Sequence, residues 1–290
     1  MSRPDEQPVV GSPLAPGKRL RARVGLRLRF YLGLGAPGVR RAYGDCAVRA
    51  AAGRDPDLVR RLVALYRGEA GAEAGSVETI NFRCAVITLA GSSERLFFKE
   101  FPRHHRLHDV ERALRCSRVD RAWRAAHLLP RLGILTPRAV GTAFARLEDG
   151  RPMEYLATEW LDGAAPYHMR VHELSGDSAA RIALLGEFAR QLRLWHDCGV
   201  YLRDLVKNVL TRWSEGGLEY WLTDLDQIHP ARRVTTGRLL HQMRQLAHWT
   251  GPLAADEADA IVVSYLGDAR DRMASLIKDV LLTTAPAPPG

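Results

Sequence analysis

The chain has 290 residues, 46% of them hydrophobic, and a formal net charge of +9. That length and apolar content allow one bilobal unit or two modest domains with a buried core, and they exclude a small peptide scaffold. The basic balance points to anionic partners: phosphates, nucleic acid or an acidic membrane face.

Residues 1–17, rich in Pro, Gly and Ser, read as a disordered N-terminus, and the tail 283–290 reads the same way. From Lys18 to Arg29 basic and apolar residues partly alternate. That pattern fits a strand or short helix with one solvated basic face, or an arm for a membrane surface or phosphates. The arm belongs to an N-terminal extension, 18–75, in which Asp55-Pro56 opens a helix carrying Leu58, Leu62 and Leu65 on one face before a Gly-rich and Ala-rich linker, 68–75. A β-rich lobe is expected over 76–160. Its first strand runs from Glu78 to Leu89 and ends at Ala90-Gly91-Ser92-Ser93, and its second is Leu96 to Phe101. A helix follows from Ser117 to Leu129, with Val119, Ala122, Trp123 and Ala126 on one face and Gly133 and Pro137 beyond its end. Runs 139–144 and 155–158 around Asp149-Gly150-Arg151-Pro152 read as a second hairpin. The segment 161–282 reads as a helical lobe, with a long helix striped by Ile182, Leu185, Ala189, Leu192 and Trp195 and later periodicity through Leu239, Met243, Leu246, Ile261, Tyr265 and Ile277. Strands first and helices second describe an α+β, bilobal protein.

Phosphoryl transfer from a nucleotide needs a cation on the phosphates, metal ligands, and a carboxylate for the acceptor hydroxyl. Lys99 lies in an apolar strand, where an ammonium is costly unless it meets an anion, although an edge or surface lysine has the same local signature. Asp204 and Asn208 lie in a loop between the long helix and an apolar run, and Asp224 stands at the end of the run Tyr220-Trp221-Leu222-Thr223. Each is an ordinary polar turn residue alone; their order after a strand lysine is what points to a kinase.

With Phe97-Phe98-Lys99-Glu100-Phe101, Trp123-Arg124-Ala125-Ala126, Leu132-Gly133-Ile134-Leu135-Thr136-Pro137, Ala157-Thr158-Glu159-Trp160-Leu161 and His196-Asp197-Cys198-Gly199-Val200-Tyr201-Leu202-Arg203-Asp204, the sequence resembles the lipopolysaccharide-core heptose and Kdo kinase family over roughly Val77 to Tyr265. The resemblance implies a protein-kinase-like fold, with Lys99 on the α- and β-phosphates of ATP and Glu159, Trp160 and Leu161 as the hinge that meets adenine. It implies Asp204 as catalytic base and Asn208 and Asp224 as ligands of Mg2+. It implies an anionic glycolipid or sugar acceptor and a cytoplasmic enzyme at the inner-membrane surface.

The chain departs from the kinase pattern in several places. Asp204 to Asn208 is four steps rather than five, Leu202 stands where a histidine is usual, and Asp224-Leu225-Asp226 replaces Asp-Phe-Gly. No helix glutamate is placed to pair with Lys99; Asp120 and Glu111 are the nearest substitutes. No Gly-x-Gly-x-x-Gly covers the phosphates, which leaves backbone amides of a tighter turn or Arg83 for that task. These departures keep open a pseudokinase that binds without turnover, and the acceptor pocket leaves open another small alcohol. His104, His105 and His108 read as a basic loop, a phosphate contact or a metal site, and His196 as a hydrogen-bonded structural histidine. Cys46, Cys84, Cys116 and Cys198 stand singly, which suggests a reducing compartment. No signal-like apolar core opens the chain, and no nucleic-acid motif is present, so no nucleic-acid partner is expected.

Overall fold

The computed structural model describes residues 38–43, 46–69, 75–102, 117–147, 150–231, 234–267 and 272–285. The basic arm 18–29, the segments 1–17 and 286–290, the His-rich stretch 103–109, Glu111 and Cys116 lie outside the described residues.

Seven antiparallel strands in the order β1-β2-β6-β7-β5-β4-β3 build the first lobe. They are β1 (Val39–Tyr43), β2 (Cys46–Ala50), β3 (Gly75–Asn81), β4 (Cys84–Leu89), β5 (Arg95–Pro102), β6 (Ala139–Arg146) and β7 (Pro152–Glu159). The run from Glu78 to Leu89, expected as one strand, is two. It reverses at Phe82-Arg83, where Asn81 Oδ1 accepts from Arg83 N at 2.9 Å. An asparagine side chain closes such a turn without glycine or proline, so the usual punctuation is missing.

Helix α1 (Pro56–Arg67) begins where Asp55 accepts from Asp57 N at 2.9 Å and ends at Gly68, whose φ of 66° is left-handed. Its Val59, Leu62 and Val63 pack with Ile87, Phe98, Val140 and Tyr155 on one face of the sheet. Gly141 permits this approach, since a Cβ there would lie 2.3 Å from Val59 Cγ2. Residues 39–67, read from sequence as part of an extension, thus supply two strands and the helix that covers one face of the sheet. Helix α2 (Arg118–Leu128), capped by Ser117, belongs to the other face, where Val119, Ala122 and Ala125 join Phe101 and Leu156. Side chains alternate along a strand. In β5 Leu96 and Phe98 are buried with α1, so Lys99 lies with Phe97 and Phe101 on the α2 side.

The second lobe comprises α3 (Tyr167–Glu173), α4 (Ser178–Asp197), α5 (Thr236–Thr250), α6 (Ala255–Leu266) and α7 (Arg272–Thr283). Leu185, Ala189, Leu192 and Trp195 of α4 are buried against Met243, Leu246, Ile261 and Ile277, while Ile182 is half-buried. The short strands β8 (Ala165–Pro166), β10 (Val209–Ser214) and β11 (Gly217–Leu222) form one sheet, and β9 (Val200–Leu202) pairs with β12 (Ile228–Pro230). The architecture is α+β with a sheet-rich first lobe and a helical second, as expected. Helix α7 reaches Thr283, the first residue of the expected tail. Among the described residues no helix is long and apolar enough to cross a membrane.

Candidate active site

A cavity of about 520 Å³ lies between the lobes. Phe97, Lys99, Phe101, Leu156 and Thr158 line it from the sheet, Trp160 and Leu161 from the link between lobes, and Asn208, Leu210, Asp224, Leu225 and Asp226 from the second lobe. Phe97 and Trp160 stack at 6.5 Å between centroids and 24° between planes. With Leu156, Leu161, Leu210 and Leu225 they leave an apolar slot suited to a flat aromatic group.

Lys99 holds the centre of β5, opposite Cys84 on one side and Leu156 on the other. Its Nζ pairs with Asp224 Oδ1, lies 3.6 Å from Asp226 Oδ1, and rests 5.0 Å from the Phe101 ring centroid. A strand of one lobe and a strand end of the other therefore meet through opposite charges. Asp224 has a φ of 52° and is the one non-glycine residue with positive φ among the described residues. A side chain held in that region costs about 1–3 kcal/mol and is held there by its surroundings. Here they are Lys99 on Oδ1, Gln227 Nε2 on Oδ2, and Gln227 N donating to Asp224 O at 2.9 Å.

Asn208 ends a single 3-10 turn, Val206–Asn208, and is buried. Its carbonyl accepts from Thr223 N at 2.8 Å and Thr223 Oγ1 at 3.2 Å, which ties the loop to the residue before Asp224. Its side-chain nitrogen is buried and has no hydrogen-bond partner among the described residues. Among those residues no three His, Cys, Asp or Glu side chains gather as a metal cluster. The Asp224 carboxylate and the Asn208 amide instead offer a small set of hard oxygen donors. That set fits Mg2+, which usually takes one or two protein oxygens and completes its shell with phosphate oxygens and water. The orphaned Asn208 amide is consistent with this fit, because a half-turn exchanges its nitrogen and oxygen.

Asp204 is exposed and lies outside the cavity lining, four residues before Asn208. Helix α5 braces its neighbours: Gln242 Nε2 donates to Leu202 O at 2.8 Å, Gln245 Nε2 donates to Arg203 O, and Gln245 Oε1 accepts from Leu205 N at 2.8 Å. His196 is part of the same support, bonded to Gln242 Oε1 and, at 2.7 Å, to Tyr265 Oη. Because the Gln242 amide nitrogen is spent on Leu202 O, its oxygen accepts from His196 Nε2, and His196 Nδ1 accepts from the Tyr265 hydroxyl.

The remaining sequence-selected residues are placed less directly. Glu159 lines the cavity, but its carboxylate binds Arg138, through Nε at 2.7 Å and the backbone N at 2.9 Å. Arg83 lies outside the lining; its guanidinium stacks on exposed Phe82 at 4.7 Å, and its carbonyl accepts from Glu100 N at 2.8 Å. Ile80 and Asn81 bring the turn before Arg83 to the cavity instead. Asp120 does not reach Lys99, because it accepts from Arg49 Nη2 at 2.8 Å and Ser117 Oγ at 3.1 Å. Sequence reasoning did not select Phe101, Asp226 or Lys207. The signal available for Asp226 was a second carboxylate within an otherwise apolar segment.

The model of the lipopolysaccharide kinase (Kdo/WaaP) family matches residues 79–256, more than half of the chain. Among solved structures, one described as WaaP in complex with acyl carrier protein aligns with a TM-score of 0.49 at 18% identity, over 75% of this chain and 90% of that one. The LegK7 effector kinase of Legionella pneumophila aligns with a TM-score of 0.39 at 13% identity, over 78% of this chain and 60% of that one. The comparison with curated proteins gave no match.

Proposed function

This chain belongs to the lipopolysaccharide kinase (Kdo/WaaP) family, and from that premise we propose that it transfers the γ-phosphoryl group of ATP to a hydroxyl of a heptose or Kdo residue of lipopolysaccharide core. The observation that carries the reading is the Lys99–Asp224 pair across the inter-lobe cavity, with Asp224 held at positive φ. ATP places its base in the slot between Phe97, Trp160 and Leu225, and its phosphates reach Lys99. With nucleotide bound, Lys99 would face the phosphate oxygens, and Asp224 with Asn208 would hold Mg2+. Bound there, Mg2+ neutralises charge on the transferring phosphate. Asp204, outside the nucleotide cavity and open to a large acceptor, orients the sugar hydroxyl and takes its proton. The net charge of +9 favours an anionic glycolipid at a membrane surface.

The test is transfer of labelled γ-phosphate to deacylated lipopolysaccharide cores that present heptose or Kdo, with wild type and Asp204→Ala compared. Transfer to one sugar that disappears in the variant supports the reading. A folded wild type that binds ATP and labels neither core overturns it. A second reading, a pseudokinase, draws on the four-residue step from Asp204 to Asn208. It predicts stabilisation by Mg-ATP that Asp224→Ala abolishes, without turnover on any sugar.

A further inference from the structure

In protein-kinase-like sites a carboxylate on the helix beside the sheet holds the strand lysine. Helix α2 offers none that is free for this: Asp120 is bound to Arg49 and Ser117. The helix presents a cation instead. Arg118 Nε and Nη2 lie 2.7 and 2.6 Å from Asp226 Oδ2, and Arg121 Nε lies 3.4 Å from Asp226 O. The other carboxylate oxygen, Asp226 Oδ1, lies 3.6 Å from Lys99 Nζ and has no hydrogen-bond partner among the described residues, on a side chain only 2% exposed. Lys99 and Arg118 also rest on one aromatic ring, 5.0 and 5.2 Å from the centroid of Phe101. A buried carboxylate with one oxygen unspent is costly unless some state of the protein uses it.

We infer that Asp226 is the positioning residue of Lys99, in place of a helix glutamate, and that Arg118 anchors it to α2. The inference rests on the kinase reading above. In the free protein Lys99 and Arg118 balance Asp224 and Asp226, two charges of each sign. With Asp224 engaged as a metal ligand, Lys99 would keep the waiting Asp226 Oδ1 as its protein partner while facing the phosphates. Lys99, Arg118 and Asp226 then carry one net positive charge toward the phosphates. The lysine stays aimed because this partner is fixed by α2 from behind.

The test uses the full chain and two readouts. One is steady-state phosphate transfer with ATP varied. The other is acylation of Lys99 by an ATP acyl-phosphate probe at saturation, read by peptide mass. Asp226→Asn is expected to lower kcat and Lys99 acylation at least tenfold while KM for ATP changes less than threefold. Adding Arg118→Glu to Asp226→Asn is expected to recover part of both, because it returns a carboxylate beside Phe101. If Asp226→Asn does not fold, the uncharged pair Arg118→Gln with Asp226→Asn takes its place with the same expectation. A variant with kcat and Lys99 acylation within twofold of wild type overturns the inference while leaving the kinase reading intact. A loss seen wholly in KM overturns it too, because that marks ATP binding rather than lysine placement. A wild type whose Lys99 is not acylated overturns the kinase reading and this inference together.

Discussion

Gln242→Leu tests whether α5 supports the loop that carries Asp204. Gln242 is fully buried and spends both ends of its amide, Nε2 on Leu202 O at 2.8 Å and Oε1 on His196 Nε2. Leucine keeps most of the volume and removes the partners of two polar groups in the core. Each buried group left unsatisfied costs about 1–3 kcal/mol, so the variant is expected to lose roughly 2–6 kcal/mol. That is a large part of the roughly 5–15 kcal/mol that holds a typical domain. Urea unfolding followed by circular dichroism reads the loss as a lower midpoint at unchanged slope. His196→Phe removes one of the same bonds, so the double variant is expected to fall short of the sum of the singles by about 1 kcal/mol or more. Phosphate transfer is expected to fall further than stability explains, since Leu202 is two residues from Asp204. A loss below about 0.5 kcal/mol, the size of an ordinary surface substitution, or strict additivity with His196→Phe would refute the reasoning.

The helical lobe holds a second buried pair, Arg181 Nε to Glu257 Oε1 at 2.6 Å, with Arg181 Nη2 donating to Thr250 O at 3.1 Å. Arg181→Met leaves the carboxylate uncompensated and is expected to cost about 3–5 kcal/mol in urea unfolding; a cost under about 1 kcal/mol would contradict the pairing. Burial raises the Glu100 carboxyl above its usual range, against the opposing pull of Arg83 and Arg151. The folded state then holds this proton to higher pH than the unfolded state, so the contribution of Glu100 falls as pH rises from about 4.3 through the folded value. Glu100→Gln is expected to match wild type below that window and to be the more stable protein above it, and thermal melts at pH 3.5 and 7.5 giving the same difference would rule this out. The Cys84 thiol is pushed up by burial. Its alkylation by iodoacetamide at pH 8 is expected to be roughly tenfold or more slower in the folded protein than in urea, and equal rates would show that the thiol is open.

What was legible in the sequence is what short-range pattern controls. Asp55-Pro56 opens α1 and Gly68 begins the segment after it, and Ser117 opens α2. What was hidden depends on distant partners. The turn at Phe82-Arg83 is closed by an asparagine side chain, a signal too common to stand out. The place of β1 and β2 in the sheet follows from β2 pairing with β6, almost a hundred residues later in the chain. Asp226 looked like the missing glycine of a motif, and its role emerges only with Arg118, 108 residues before it.

Leu202 shows the same effect at the loop that carries Asp204. Its side chain cannot give the support that a histidine provides there, and two glutamines one helical turn apart supply it from α5. Gln242 holds Leu202 O, while Gln245 holds Arg203 O and Leu205 N, so backbone groups on both sides of Asp204 are fixed from one helix. Asn208 is fixed independently through Thr223, whose backbone and hydroxyl both bind its carbonyl. The loop is thus pinned at two ends by different elements. The four-residue step from Asp204 to Asn208 is therefore compatible with the function proposed above, since the proposed chemistry depends on where Asp204 and Asn208 stand relative to Lys99 rather than on the number of residues between them.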